Sequence, residues 1–305
     1  MSATQDQASE APTGVVRPKI VYVMGTARSG STILGVALGN CADVFYAGEL
    51  GGWLEKSGTP RLKGVERQEF WATVRQSVHS PDDLFGRDAL LAIERSLSLI
   101  RIHMWGVRRR IRQRYRRVTE ELYVAIARTA GATHVVDSSS YPLRARELKR
   151  LDGVDVYLVY LVRDPHGVVA SFTQPGWRFS KSTALTNAYL WITSLLSVFV
   201  FLKHPRDRRV FVRHEDFVAN PEHVVSEILR RVDAPCEVPD LTVLEPHIPF
   251  GGNRFLMSQE SITLRKAESP PPHYRITTLL QRPWELVFSR LRPAIPAPPS
   301  QKPGE

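Results

Sequence analysis

Ile20 to Met24 (IVYVM) is a short unbroken apolar run, and directly behind it stands Gly25-Thr26-Ala27-Arg28-Ser29-Gly30-Ser31-Thr32. Ile33, Leu34, Ala37 and Leu38 then recur at helical spacing. A buried parallel strand, a glycine-containing turn and an amphipathic helix are the reading that this order supports. The turn has the spacing G-x-x-x-x-G-K-[ST], with Ser31 in the place of the lysine. Glycines let the backbone curl so that its N–H groups face inward, and the helix behind adds its positive end, which together make an anion cradle. The missing lysine is the one that reaches the β/γ-phosphates of ATP, so the loop suits a phosphate-like group held otherwise than in an ATPase. Arg28 offers a cation from the other side of the turn. The competing reading is an ordinary strand–turn–helix corner whose glycines are accidental.

The rest of the chain continues the alternation. Thr133 to Val136 reads as a second strand ending at Asp137. Val156 to Val162 (VYLVYLV) is a third, ending at Arg163-Asp164-Pro165, where the proline can open a helix through Ser171. Val210 to Val212 is a fourth, and Pro221 to Val232 a helix. Strands alternating with helices predict an α/β fold, a central parallel sheet flanked by helices, with ligands at the carboxyl ends of the strands. A hydrophobic share of 43% in 305 residues is ample for a core and excludes a wholly disordered chain. With no internal linker or repeat, one domain over 18–292 is expected, between a disordered segment 1–17 and a disordered proline-rich tail 293–305. Ala188 to Leu202 (AYLWITSLLSVFVFL) is apolar but short of the roughly 20 residues that cross a bilayer, and reads as a buried core helix. Met1 to Gly14 lacks the apolar run of a secretory signal. The two cysteines, Cys41 and Cys236, exclude a disulfide scaffold or a thiolate zinc site and suit a reducing, cytoplasmic setting.

Two motifs together carry a resemblance. GTARSGSTIL resembles the 5′-phosphosulfate loop of sulfotransferases that use 3′-phosphoadenosine 5′-phosphosulfate (PAPS). LVRDPHGVVASF (Leu161 to Phe172) is similar to that family's 3′-phosphate motif, an arginine at a strand end and a serine eight residues on. Ala47-Gly48-Glu49-Leu50, Arg213-His214-Glu215-Asp216-Phe217 and His247 to Arg254 (HIPFGGNR) match more weakly but in the family's order. The resemblance, to bacterial and tyrosylprotein- or carbohydrate-type members, implies a P-loop NTPase-like sulfotransferase fold and sulfo transfer from PAPS to a hydroxyl without a metal. It implies that Arg28, Ser29, Gly30, Ser31 and Thr32 hold the 5′-phosphosulfate, and that Arg163 and Ser171 hold the 3′-phosphate. Glu49 becomes the candidate base and Arg28 the candidate catalytic cation. A late glycine loop, Gly251 to Arg254, would close on the donor through Arg254, with Arg265 or Lys266 as further cations. Plainer roles remain open: an Arg163–Asp164 salt bridge, a Ser171 bonded to its own helix, a solvated Glu49. His79, His103 and His166 are less well placed as bases.

The chain departs from that family at Val135 to Ser140, where bacterial members usually carry lysine in the place of Ser140. Arg28 would then neutralise charge alone, or Arg144 would substitute. Asp137 resembles the acidic strand end of an ATPase that holds Mg²⁺, but the missing lysine argues against this, and a helix cap for Pro142 to Leu151 is the preferred reading.

Lys and Arg exceed Asp and Glu by 41 to 31, a net charge of +10. Eight of these charges, Arg101, Arg108, Arg109, Arg110, Arg112, Arg114, Arg116 and Arg117, fall in one stretch without an acid, so the remainder carries only +2. Ile111, Tyr115, Val118, Leu122 and Ile126 give the later part of it an apolar helical face. The stretch is either a solvated face or a contact for an anionic acceptor or a membrane surface; nucleic acid is not expected. A hydroxyl-bearing acceptor (small molecule, glycan or lipid) is implied. The alternatives are a kinase-like phosphotransferase using ATP–Mg²⁺ and a non-enzymatic basic protein binding RNA or membrane.

Overall fold

The computed structural model describes residues 17–60, 63–99, 101–173, 182–252, 256, 261–264 and 271–291. Residues 1–16, the tail 293–305, Arg254, Arg265 and Lys266 lie outside the described residues. The first strand, β1 (Lys19–Gly25), stands at the middle of a five-stranded parallel sheet. Its neighbours are β3 (His134–Ser140) and β4 (Asp155–Val162), with β2 (Val44–Gly48) and β5 (Arg209–Arg213) outermost, in the order β2-β3-β1-β4-β5. Side chains alternate across β1: Ile20, Tyr22 and Met24 enter one apolar layer, Val21 and Val23 the other. A strand buried on both faces must be apolar throughout, which explains the unbroken run. Each such side chain contributes roughly 1.5–3 kcal/mol on burial.

On the Val21 face lie α1 (Ser31–Gly39) and α9 (Pro221–Val232); on the Tyr22 face lie α2 (Val65–Gln76), α4 (His103–Ala130) and α7 (Thr183–Lys203). Between α2 and α4 a single turn, α3 (Arg87–Ala89), runs on into a π-helical stretch, Leu90–Glu94. The sheet's connections also carry α5 (Pro142–Leu148), α6 (Pro165–Thr173) and α8 (His214–Ala219). A two-stranded antiparallel pair, β6 (Val243–Leu244) with β7 (Ile262–Thr263), and α10 (Arg275–Leu291) complete the described chain. Prolines open α5, α6 and α9, where a missing N–H costs nothing. The predicted helix Pro221 to Val232 has the bounds observed.

Four expectations need correction. β3 does not stop at Asp137 but continues to Ser140. Asp137 caps no helix: Tyr141 is the residue before α5, and no side chain caps it. Asp137 is instead buried, accepting from the Tyr123 hydroxyl (2.6 Å), the Ser139 N–H (2.9 Å) and Arg144 Nε (3.2 Å). The apolar segment within α7 is not a buried core helix, because one of its faces is exposed. The basic stretch forms the front half of α4, yet much of its charge is spent inside the molecule. Arg108 is buried against the Ile93 carbonyl and Ser98, its pKa lowered by burial to about 10. Arg112 and Arg116 converge on Glu147. Arg114 pairs with Asp83 at the surface, and Arg101, Arg109, Arg110, Arg114 and Arg117 are the members left exposed.

Candidate active site

All five strands point their carboxyl ends at one rim, and every motif picked out in the sequence except the basic stretch follows one of those ends or packs against them. After β1 the chain turns with Arg28 at φ 72° and Gly30 at φ 92°. The second value is one that only glycine takes without strain, and a Cβ there would also sit 2.4 Å from His214 Nδ1. The turn delivers the start of α1, whose first N–H groups have no partner within the helix. No side chain caps that end. Ser29 is wholly buried at the turn, and its Oγ has no hydrogen-bond partner within the protein. A buried hydroxyl beside uncapped helix N–H groups is what a tetrahedral anion would complete.

Arg163 directly follows β4 and turns back over the loop, its Nη1 donating to the Arg28 carbonyl at 3.0 Å. Gly167 makes room for it, since a Cβ there would lie 3.0 Å from Arg163 Nε. No Arg163–Asp164 salt bridge forms; the Asp164 carboxylate accepts the His166 N–H (2.7 Å) at the head of α6. Ser171, one face of α6 further on, does not bond its own helix but accepts from Arg28 Nε at 2.7 Å. The two motifs, far apart in sequence, thus meet directly. Burial and then mutual repulsion with Arg163 lower the pKa of Arg28, and burial lowers that of Arg163. Glu215 and Asp164 oppose that lowering at Arg163, and an anion bound between the two part-buried guanidinium groups would offset their repulsion further.

Glu49 follows β2, a strand that the sequence reading did not recognise, and stands at the carboxyl edge of the sheet. Gly48, at φ 79°, abuts the late glycine loop: a Cβ would meet the Gly251 carbonyl at 2.2 Å. The Glu49 N–H donates to that same carbonyl at 2.9 Å. Gly252 lies beyond it, beside the methyl of Thr32. Glu49 therefore lies against the Gly251 segment, and its charge is felt by Tyr46 and Tyr141. Burial raises Tyr141 to about 12, with Arg95 acting against it from 5.2 Å above the ring.

Ser140 stands at the end of β3 with φ 66°, and its Oγ donates to Ser31 Oγ at 3.2 Å. The two positions that lack lysine are thus hydrogen-bonded to each other. Arg144 does not replace either. It is buried with Nη1 on Glu94 (2.6 Å) and the Tyr115 hydroxyl (2.7 Å), and Nε on Asp137. Burial pushes the Glu94 carboxyl up to about 7 despite this arginine. Of the histidines, His79 pairs at the surface with Glu121, His103 opens α4 exposed, and His166 accepts the Tyr274 N–H.

Two residues escaped the sequence reading. His214 follows β5 and backs onto Gly30, its Nδ1 buried without a partner, and burial lowers its pKa to about 4. Its signal was its place in Arg213 to Phe217, one residue past a strand. Tyr189 on α7 accepts the Ala27 N–H at 2.8 Å and so fixes the loop from the opposite side; within an apolar helix nothing marked it. Among the described residues no cluster of three or more His, Cys, Asp or Glu could hold a metal ion.

The sequence-family model described as the sulfotransferase family matches residues 18–238. The chain belongs to that family, and it is an enzyme, a sulfotransferase. Among solved structures it is similar to the sulfotransferase domain from the curacin biosynthetic pathway, at 18% identity and TM-score 0.51, covering 88% of this chain and 98% of that one. The sulfotransferase domain of the Synechococcus PCC 7002 olefin synthase is similar at 20% identity and TM-score 0.52, covering 92% and 98%. At these identities the likeness shows the fold, a P-loop-like α/β sheet. No protein of curated function matches the sequence. Neither the ATP–Mg²⁺ phosphotransferase nor the non-enzymatic alternative gains support.

Proposed function

We propose that the protein transfers a sulfo group from PAPS to an acceptor hydroxyl. The observation that carries this reading is the meeting of Arg28, Arg163 and Ser171 around an uncapped loop whose Ser29 hydroxyl has no partner. In this reading Arg28, Ser29, Gly30, Ser31 and Thr32 bind the 5′-phosphosulfate. Arg163 and Ser171 bind the 3′-phosphate, a suitable task for a guanidinium fork and a hydroxyl. PAPS, when bound, supplies a sulfo group on a nucleotide phosphate that can leave as an anion. Glu49 takes the acceptor's proton, and Arg28 stabilises the charge that grows on the leaving phosphate. With serine at positions 31 and 140 and Arg144 engaged elsewhere, Arg28 carries that task without a lysine. Arg254 is retained from the sequence as a donor contact, outside the described residues. Residues 18–292 are taken as one domain, and the free Cys41 and Cys236 support a cytoplasmic setting. The acceptor is a hydroxyl compound, whether small molecule, glycan or lipid.

Calorimetric titration with adenosine 3′,5′-bisphosphate tests the donor. Binding at roughly micromolar Kd is expected, with ATP–Mg²⁺ much weaker. No binding, or tighter binding of ATP–Mg²⁺, would remove PAPS from the reading.

A further inference from the structure

α7 turns its polar residues inward. Thr186, Asn187, Thr193, Ser194 and Ser197 face the protein and are buried, beside Leu190, Val200 and Phe201. The outward stripe is Leu185, Trp191, Ile192, Leu195, Phe199 and Leu202, exposed at 38 to 63%. A helix at the surface of a water-soluble protein turns its polar face outward. α10 repeats the inversion, with Thr277 and Gln281 buried while Ile276, Leu279, Leu280 and Leu286 are exposed. The buried polar groups hold the two helices together: Asn187 Nδ2 donates to Thr277 Oγ1 at 3.1 Å, and Gln281 Nε2 to Asn187 Oδ1 at 2.8 Å. Above them Trp191 Nε1 donates to the Leu280 carbonyl at 2.8 Å, and its ring meets Trp284 at 5.1 Å, so the outward stripes adjoin. Of the fourteen exposed large hydrophobics among the described residues, ten lie here, six on α7 and four on α10. Contiguous apolar surface of this kind marks a contact site.

The charge around it is mostly positive. Lys203 ends α7 with its Nζ 4.1 Å over the Phe199 ring, and Arg275, Arg282 and Arg290 are exposed on α10; Glu285 is the one acid among them. We propose that the α7–α10 face docks in plane on an anionic phospholipid bilayer, its apolar stripes in the interface and its cations on the lipid phosphates. Spanning is a poorer account of the same helix. Its inner face is seated on the sheet, and Tyr189 holds the phosphate loop through Ala27, contacts that crossing the bilayer would strip. A second copy of the chain fits less well, because pairing like faces brings the arginines together with only Glu285 to answer them. The proposal does not rest on the identity of the sulfo donor.

Co-sedimentation of the full chain with vesicles tests it. Partition onto phosphatidylcholine vesicles containing phosphatidylglycerol is expected, weakened by high salt and by leaving out the anionic lipid. Leu195→Gln with Phe199→Gln, and separately Arg282→Glu with Arg290→Glu, are each expected to reduce it about tenfold. These positions are exposed, and unchanged thermal unfolding confirms that the fold is kept. Absence of partition by the wild type, or partition at the wild-type level by either variant pair, overturns the proposal. So does a dimer in light scattering that the Leu195→Gln, Phe199→Gln pair converts to monomer, since the face then belongs to a second copy.

Discussion

In the proposed reading Arg28 and Arg163 are the residues that recognise the donor, since both are part-buried and Arg163 binds the Arg28 carbonyl. Arg163→Ala should weaken adenosine 3′,5′-bisphosphate by about 1.5–3 kcal/mol, the size of a hydrogen bond to a charged group; titration calorimetry reads it, and unchanged affinity would take Arg163 out of the site. Glu49 has a different signature. If it removes the acceptor's proton, Glu49→Gln loses turnover while nucleotide affinity stays at the wild-type value, a split that a transfer assay and calorimetry together detect. Turnover at the wild-type level would discard it as base. Arg28 and Arg163 were legible in the sequence as residues just past strand ends, and Ser171 by its spacing from Arg163. Tyr189 was not legible, since its hydroxyl meets Ala27 only through the packing of α7 on β1.

Among the elements, β1 and β4 were readable because a strand covered on both faces has no polar position to break its pattern. β2 escaped for the opposite reason: Val44–Gly48 is five residues long, ends in a glycine of positive φ and begins after Asp43, so no run stands out. α10 was hidden by Pro283 within it and by polar residues turned inward. Asp137 was misread because an acid among serines before a proline looks like a cap, whereas its partners Tyr123 and Arg144 come from α4 and α5. Arg144 fastens these elements to the π-helical stretch through Glu94. Removing it strands two buried carboxylates, so Arg144→Ala should cost about 3–5 kcal/mol in urea unfolding. A loss under about 1 kcal/mol, the value of an exposed pair, would show that the network holds little together.

For the molecule as a whole, the buried histidines set a lower pH limit. His204, on the Val156 carbonyl, and His214, behind Gly30, are both lowered by burial to about 4 from an ordinary 6.5. The unfolded chain takes up these protons first, so their contribution is complete above pH 6.5 and drains away as pH falls toward 4. Glu94 acts in the opposite sense, its raised carboxyl favouring the fold most at low pH. Thermal midpoints measured from about pH 7 to about pH 4.5 should therefore fall, and His214→Asn should flatten the slope; an unaltered slope would mean that His214 is not held neutral. The sheet order has a consequence for synthesis as well. β1 is the first strand made, yet it needs β3 and β4 on either side, and β3 begins only at His134. At roughly 5–20 residues per second, Ile20 to Met24 waits several seconds outside the ribosome as a bare sticky ribbon. The strand that carries the Gly25–Thr32 loop is thus a segment that a chaperone would need to shield while β3 and β4 are being made.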